Sequence, residues 1–181
     1  SSLSGKFTRP NQKGVYPVVM LISGSGRNDR DESRYAHRPF LVLSDYLTRN
    51  GIAVLRYDDR GFGESTGDFS VATTADFAQD VLSAVNHLKT RTDIDTEHIG
   101  LIGHSEGGIV APLAANQTTD ISFIIALAAT GIPGSEVALL QSKSLRTFPV
   151  PDEKAFEQNV SKAIEIASSD KIISEKREEL T

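Results

Sequence analysis

A chain of 181 residues, of which 39% are hydrophobic and 24% charged, is long enough to bury one sizeable core and too short for two comfortable domains. The net charge of -5 comes from acidic and basic residues interspersed along the chain. Because no basic run could neutralise successive phosphates, nucleic acid is not expected as a partner. The chain has no cysteine, which excludes disulfides, thiolate nucleophiles and thiolate metal sites.

Four apolar segments predict the strands of a sheet: residues 18–23, 52–57, 99–103 and 121–129. Continuous apolar runs, without polar alternation, are typical of strands that are covered by helices on both faces. Segments of helical period separate these runs. The order therefore predicts a doubly wound, mostly parallel α/β sheet.

Three helices are expected between the strands. The first begins at Pro39, a residue suited to the first helical position, and stops at an Asn-Gly pair. The second begins near Thr73 and places four apolar side chains on one stripe. The third runs from Ser105 to about residue 116, and Pro112 should bend it because proline removes one backbone donor.

The pattern changes after residue 129, where a turn at residues 131–134 follows the last predicted strand. Residues 136–145 favour one helix, and an amphipathic pattern that follows Asp152 favours another, before a charged tail. We therefore expect a sheet-containing core over residues 1–134. Residues 135–181 are expected to form a helical cap or lid segment.

A G-x-S-x-G motif lies where the third predicted strand meets the third predicted helix, and residues 103–107 read Gly-His-Ser-Glu-Gly. A serine at the tip of such a turn has a strained backbone, and the close approach of neighbouring chain requires the glycines at 103 and 107. The following helix N-terminus directs free NH groups at whatever Ser105 attacks. Taken alone, the motif is equally compatible with a glycine-rich turn whose serine caps a helix.

Two further loops follow predicted strands. Residues 22–26 read Ile-Ser-Gly-Ser-Gly and can offer a second backbone NH, most plausibly that of Ser25. Residues 58–65 read Asp-Asp-Arg-Gly-Phe-Gly-Glu-Ser. In their order and spacing, these loops and the serine motif resemble the α/β-hydrolase superfamily over residues 5–134. The resemblance is nearest to bacterial hydrolases of the dienelactone-hydrolase and serine-aminopeptidase-like group.

The resemblance implies a role for each motif. Ser105 would be the nucleophile, the backbone NH groups of Ser25 and Glu106 would form the oxyanion hole, and the glycines of the elbow and loop would be Gly24, Gly103 and Gly107. The loop at residues 58–65 would be structural, with Arg60 paired to one of that loop's own aspartates. No metal or cofactor is implied.

The acid and histidine of this superfamily follow the serine in the chain. Here the histidines all precede it: His37, His87, His98 and His104. We interpret the chain as C-terminally truncated, with the triad acid and histidine not in this chain. Only His37, which follows the glycine-rich loop, is a candidate substitute.

The implied function is cleavage of a small-molecule carboxylic ester through an acyl-enzyme on Ser105. The 181-residue chain itself should be poorly active or inactive without a base. Two alternatives stay open: a peptide or amide hydrolase of the same fold, and a non-catalytic truncated fragment that keeps a binding cleft. The parent open reading frame distinguishes an enzyme from the non-catalytic fragment.

The sequence predicts the oligomeric state and the cellular location of the chain in less detail than its fold. With the last strands missing, the edge of the predicted strand at residues 121–129 should be open and should favour a homo-oligomer. No apolar stretch approaches the roughly 20 residues of a membrane helix, so no membrane partner is expected. We expect a soluble chain, cytoplasmic or exported with its signal segment absent, since the sequence does not begin with Met.

Overall fold

The computed structural model describes residues 1–146, 148–171 and 173–180. Two units divide the chain, residues 1–129 and residues 130–181. The boundary at residue 134 and the role of the second unit as a cap stay predictions.

Five strands form the sheet of the first unit: β1 (Gly5–Thr8), β2 (Tyr16–Ile22), β3 (Ala53–Tyr57), β4 (Ile94–His104) and β5 (Phe123–Leu127). Their order across the sheet is β1-β3-β2-β4-β5. β1 pairs antiparallel with β3, and every other neighbouring pair is parallel. The predicted mostly parallel α/β class is confirmed.

The first unit has the helices α1 (Pro39–Arg49), α2 (Thr74–Lys89) and α3 (Gly107–Ala115). Pro39 lies at the start of α1, and Gly51 follows its end with a φ of +89°. Thr73 and Asp76 form a reciprocal capping box at the start of α2, so two backbone NH groups that the helix leaves free are satisfied.

The two faces of the sheet carry separate cores because alternate residues of a strand point in opposite directions. Val18 and Met20 of β2 belong to the core that α2 and α3 cover. Val19 and Leu21 of the same strand belong to the core with Phe40 of α1. The helices therefore cover both faces, as the continuous apolar pattern of β2 predicts.

The structure differs from the sequence pattern at several element boundaries. The pattern does not predict β1, which is a short edge strand of mixed polarity. β4 begins at Ile94, before the predicted start at residue 99, and the apolar pattern misses this part because residues 95–98 are exposed or half-buried. α3 begins at Gly107 rather than at Ser105, because the φ of Ser105 is +51° and no α-helical residue adopts that value.

The second unit is helical where it is described, with α4 (Gly134–Ser144), α5 (Glu153–Ser168) and α6 (Ile173–Leu180). The pattern predicts α4 and α5 but leaves α6 as a charged tail. Among the described residues of this unit, Ile166 alone is buried. No helix in the described part of the chain is long and apolar enough to cross a membrane.

Candidate active site

Ser105 lies in the connection between β4 and α3 and has a positive φ of +51°. A non-glycine residue in this region is strained, and such strain persists only where the surrounding structure imposes it. The Ser105 NH donates to the carbonyl of Leu127 at 2.9 Å, and its own carbonyl accepts from Gly108 NH at 3.0 Å. The serine is thereby held between β5 and the start of α3.

Glycine is required on both sides of this serine. A Cβ on Gly103 would overlap the Gly107 carbonyl, and a Cβ on Gly107 would overlap the Ile22 carbonyl at the end of β2. A Cβ on Gly24 would lie only 3.1 Å from Ser105 Cβ. The structure therefore brings the loop after β2 directly against the serine.

The two amides predicted for the oxyanion hole belong to residues that adjoin this contact. Ser25 follows Gly24 in the chain, and Glu106 follows Ser105 at the start of α3. In the part of the chain that the structure describes, neither amide has a hydrogen-bond acceptor. The Glu106 carboxylate accepts from the Thr74 hydroxyl at 2.9 Å, so its side chain is directed at α2.

The loop after β2 is anchored by the residues that follow β3. Asp59 accepts from the Ser23 hydroxyl at 2.7 Å and from Asn28 NH at 2.8 Å. Asp58 accepts from both the backbone NH and the guanidinium of Arg30, each at 2.7 Å. The Asp-Asp pair therefore fixes the glycine-rich loop that contacts the serine.

These contacts correct the expected pairing of Arg60. Its guanidinium binds Asp80 of α2 through two bonds of 2.7 Å and does not bind an aspartate of its own loop. The reason is that Asp58 and Asp59 are already engaged by the loop after β2. Sequence spacing alone does not reveal this, because Asp80 lies on a different element.

Burial and pairing move the pKa values of the two aspartates in opposite directions. Burial raises the pKa of Asp59 to about 6, with the negative charge of Glu32 adding to it and hydrogen bonds from Ser23 and Asn28 opposing it. Burial also opposes the ionisation of Asp58. Its hydrogen bonds from Arg30 nevertheless hold the pKa of Asp58 below its ordinary value.

The four histidines have different surroundings in the fold. His37 is exposed in an isolated bridge with Arg34, His87 is exposed on α2, and His98 pairs with Asp95 at 2.7 Å. His104 precedes the serine, and its Nδ1 lies 2.7 Å from the Glu32 carboxylate. Within the described residues, no hydrogen bond joins any histidine to Ser105. No group of three or more His, Asp or Glu side chains in that part is placed to hold a metal ion.

The sequence of this chain matches that of a known protein family. The sequence model of the family described as serine aminopeptidase, S33 (Hydrolase_4) matches residues 32–176. The chain belongs to this family. The predicted resemblance to α/β-hydrolase serine hydrolases is thereby confirmed.

Individual proteins that are similar to this chain include an esterase and an α/β hydrolase. Esterase EstD of Thermotoga maritima is 33% identical over 148 residues, which cover 82% of this chain and 35% of EstD. The α/β hydrolase GrgF from Penicillium sp. sh18 is 25% identical, with a TM-score of 0.60 over 77% of this chain and 47% of GrgF. Est1E from Butyrivibrio proteoclasticus, whose structure has ferulic acid bound, is 25% identical, with a TM-score of 0.61 over 82% of this chain and 56% of Est1E. The chain thus spans about a third of EstD and about half of the other two.

Proposed function

We propose that this chain carries the nucleophile and the oxyanion hole of a serine hydrolase that cleaves carboxylic esters. The observation that carries the proposal is the contact between Ser105, at a φ of +51°, and Gly24, whose added Cβ would lie 3.1 Å from Ser105 Cβ. A strained serine beside a glycine-rich loop is the arrangement that acyl transfer requires. The family match and the esterase EstD support the same reading.

The reaction would begin with attack of the Ser105 hydroxyl oxygen on the ester carbonyl carbon, as a base accepts the hydroxyl proton. The carbonyl oxygen becomes an oxyanion, and the NH groups of Ser25 and Glu106 stabilise it by donating hydrogen bonds. Collapse of this intermediate breaks the ester bond, and the alcohol leaves with a proton. Water then attacks the acyl-enzyme and releases the carboxylic acid.

Glu106 acts in this scheme through its main chain. Its carboxylate is engaged by the Thr74 hydroxyl, whereas its NH has no acceptor among the described residues. Replacement of Glu106 by glutamine should therefore change activity little. The loss of an NH at this position would be a larger change, since one donor to an oxyanion contributes on the order of 100-fold or more in rate.

The base and its acid partner are proposed to lie outside this chain. No histidine follows Ser105 in the sequence, and none of the four is bonded to it within the described residues. The cavity beside Gly24 has a volume of only about 20 Å³. A larger cavity of the first unit, about 470 Å³, is lined by residues such as Leu3, Phe7 and His87 and not by Ser105. A substrate pocket of a small-molecule enzyme is typically about 300 Å³ or larger.

Peptide or amide hydrolysis is the second candidate, and the serine aminopeptidase description of the family favours it. The same nucleophile and oxyanion donors serve either bond, so the choice depends on the groups that contact the substrate. Est1E, with ferulic acid bound, favours a carboxylic ester. Parallel assays on a short-chain nitrophenyl ester and an aminoacyl nitroanilide separate the two.

The proposal is tested with the protein encoded by the complete open reading frame and with the 181-residue chain alone. The complete protein should react with a fluorophosphonate at Ser105 and hydrolyse the ester. Ser105→Ala should lower kcat by on the order of 10⁶, which is the loss seen when a catalytic serine is removed. The 181-residue chain should retain only a weak residual activity.

Thermal unfolding provides the control, because Ser105→Ala should fold normally. If the 181-residue chain hydrolyses the ester at roughly 1 per second or faster, a typical enzymatic rate, the base lies within it, and His37 becomes the first residue to replace. Labelling of the complete protein at a residue other than Ser105 would contradict the assignment of the nucleophile.

A further inference from the structure

Glu32 contacts both sides of the candidate site through one carboxylate. Its Oε1 accepts from the Gly24 NH at 2.8 Å and lies 2.7 Å from His104 Nδ1. Gly24 belongs to the loop after β2, and His104 is the residue immediately before Ser105. A single oxygen therefore links the glycine-rich loop to the elbow that carries the serine.

The environment of Glu32 is unusual for a glutamate. The residue is only 6% exposed, and its φ is +52°. A buried carboxylate is unfavourable unless hydrogen bonds compensate it, and a positive φ persists in a non-glycine residue only where its surroundings impose it. The contacts that compensate the carboxylate are those to Gly24 and His104.

We propose that Glu32 is a positioning residue for the oxyanion hole, an inference that rests on the proposed function. By accepting from the Gly24 NH, the carboxylate fixes the orientation of the Gly24 peptide, and the following peptide then directs the Ser25 NH at the oxyanion. Gly24 has no side chain of its own to restrict it and must stay small beside Ser105. External contacts on both sides therefore fix this residue: Glu32 accepts from the Gly24 NH, and Asn28 Nδ2 donates to the Gly24 carbonyl at 2.8 Å.

The sequence does not point to Glu32. It lies in a charged stretch, Asp-Arg-Asp-Glu at residues 29–32, where the usual interpretation is a solvated surface loop. Only the fold brings this glutamate back to the residue before the serine, 72 positions later in the chain. Its neighbour Asp31 has a different task, since it forms an ion pair with the buried Arg56 of β3.

The test compares three variants of the complete protein, with active sites counted by fluorophosphonate titration. Glu32→Ala should lower kcat on the order of 100-fold, the effect of losing one oxyanion donor, with KM within about twofold of wild type because the substrate ground state is not affected. Glu32→Gln keeps an acceptor oxygen for the Gly24 NH and should recover most of kcat. His104→Ala, which leaves that acceptor in place but removes one of its two contacts, should lower kcat by roughly three- to tenfold.

Asp80→Asn is the matched control, because Asp80 is also 6% exposed and its carboxylate binds the Arg60 guanidinium rather than the glycine-rich loop or His104. It should lower the melting temperature without changing kcat per titrated site. The double variant Glu32→Ala/His104→Ala should have the same kcat as Glu32→Ala, since the two residues act through one contact.

A Glu32→Ala protein with wild-type kcat per titrated site, or a Glu32→Gln protein as slow as Glu32→Ala, would overturn the positioning role. If Glu32→Ala does not fold, His104→Ala decides: kcat unchanged against Asp80→Asn overturns the inference, and a selective fall in kcat supports it. If the wild-type complete protein does not label at Ser105 at all, the proposed function fails, and this inference fails with it.

Discussion

The two units of the chain use their charged residues differently. In the first unit, carboxylates are buried and bind the backbone of loops, as Asp58, Asp59 and Glu32 do around the serine. In the described part of the second unit, charged residues pair with each other at the surface, as Lys143 does with Glu157 at 2.9 Å. Among the described residues, buried carboxylates that bind loop backbone therefore belong to the first unit, whereas the carboxylate of Asp152, which accepts from the Ala155 NH at the start of α5, is exposed.

This difference has an energetic basis. An exposed pair contributes little, because water solvates each charge nearly as well as the partner does. A buried carboxylate must have its donors in place, so it specifies one loop conformation and is sensitive to the loss of any donor. The first unit is therefore the part of the chain in which a catalytic geometry can be held.

The largest expected contrast in stability comes from equivalent glycine substitutions in the two units. Gly103→Ala should destabilise the protein by about 3 kcal/mol, because the new Cβ overlaps the Gly107 carbonyl in a packed turn. Gly134→Ala, at the start of α4, meets no atom within 4 Å and should be neutral or stabilising by up to about 1 kcal/mol. Urea unfolding of both variants measures the difference. Equal effects would remove the contrast between the units.

A second contrast is in the pH dependence of stability. The pKa of Asp59 is raised from its ordinary value of 3.8 to about 6 in the folded protein. The folded state therefore binds the proton of Asp59 more tightly than the unfolded state does. The resulting contribution to the free energy of unfolding is fully present below about pH 4 and is lost as pH rises through about 6. Over that range the loss amounts to about 3 kcal/mol.

Glu153 of the second unit should behave in the opposite sense, because its hydrogen bond to Arg146 lowers its pKa. Its stabilising contribution is present above the ordinary pKa and lost as pH falls. Urea unfolding between pH 4 and 7.5 should show Asp59→Asn gaining on wild type as pH rises, whereas Glu153→Gln should follow wild type closely. A constant difference between Asp59→Asn and wild type across this range would contradict the burial argument.

The smallest expected effect concerns β5. Most apolar side chains of this strand are exposed, as are most side chains of the described part of the second unit. β5 pairs only with β4 among the described strands, and Phe123, Ile125 and Leu127 are 40%, 43% and 37% exposed. We propose that the 181-residue chain associates with a second copy through this edge, since an unpaired apolar strand recruits another. Light scattering at micromolar concentration should show a dimer or larger species.

A charge at the edge should prevent this association. Ile125→Lys is expected to be monomeric, whereas Leu140→Lys, which changes a 54% exposed leucine on α4, should associate as wild type does. A monomeric wild-type chain over the same concentrations would argue against association through β5.

Local sequence features predict much of the fold. The apolar runs that become β2, β3 and the second half of β4 are continuous because helices cover both faces of the sheet there. Thr73 and Asp152 precede the helices that they cap. The G-x-S-x-G pattern likewise predicts the turn at Ser105, since only glycine tolerates the close approach on either side. These signals are readable because each depends on neighbours within a few residues.

The elements and contacts that the sequence does not predict depend on partners far away in the chain. β1 is recognisable only by its pairing with β3, and Arg60 is placed by Asp80 of α2 rather than by its own loop. Composition cannot separate a glutamate in a charged surface stretch from one that the fold buries.

The sequence by itself determined the class of fold, the position of the candidate nucleophile and the glycines around it, because local periodicity and steric limits act over short distances. Only the tertiary structure decided which charged residues hold the candidate site, because the donors and acceptors of Asp58, Asp59 and Glu32 lie on separate loops. Those loops converge where parallel strands end at the same edge of the sheet. That convergence is a property of the folded sheet, and no single segment of the chain contains it.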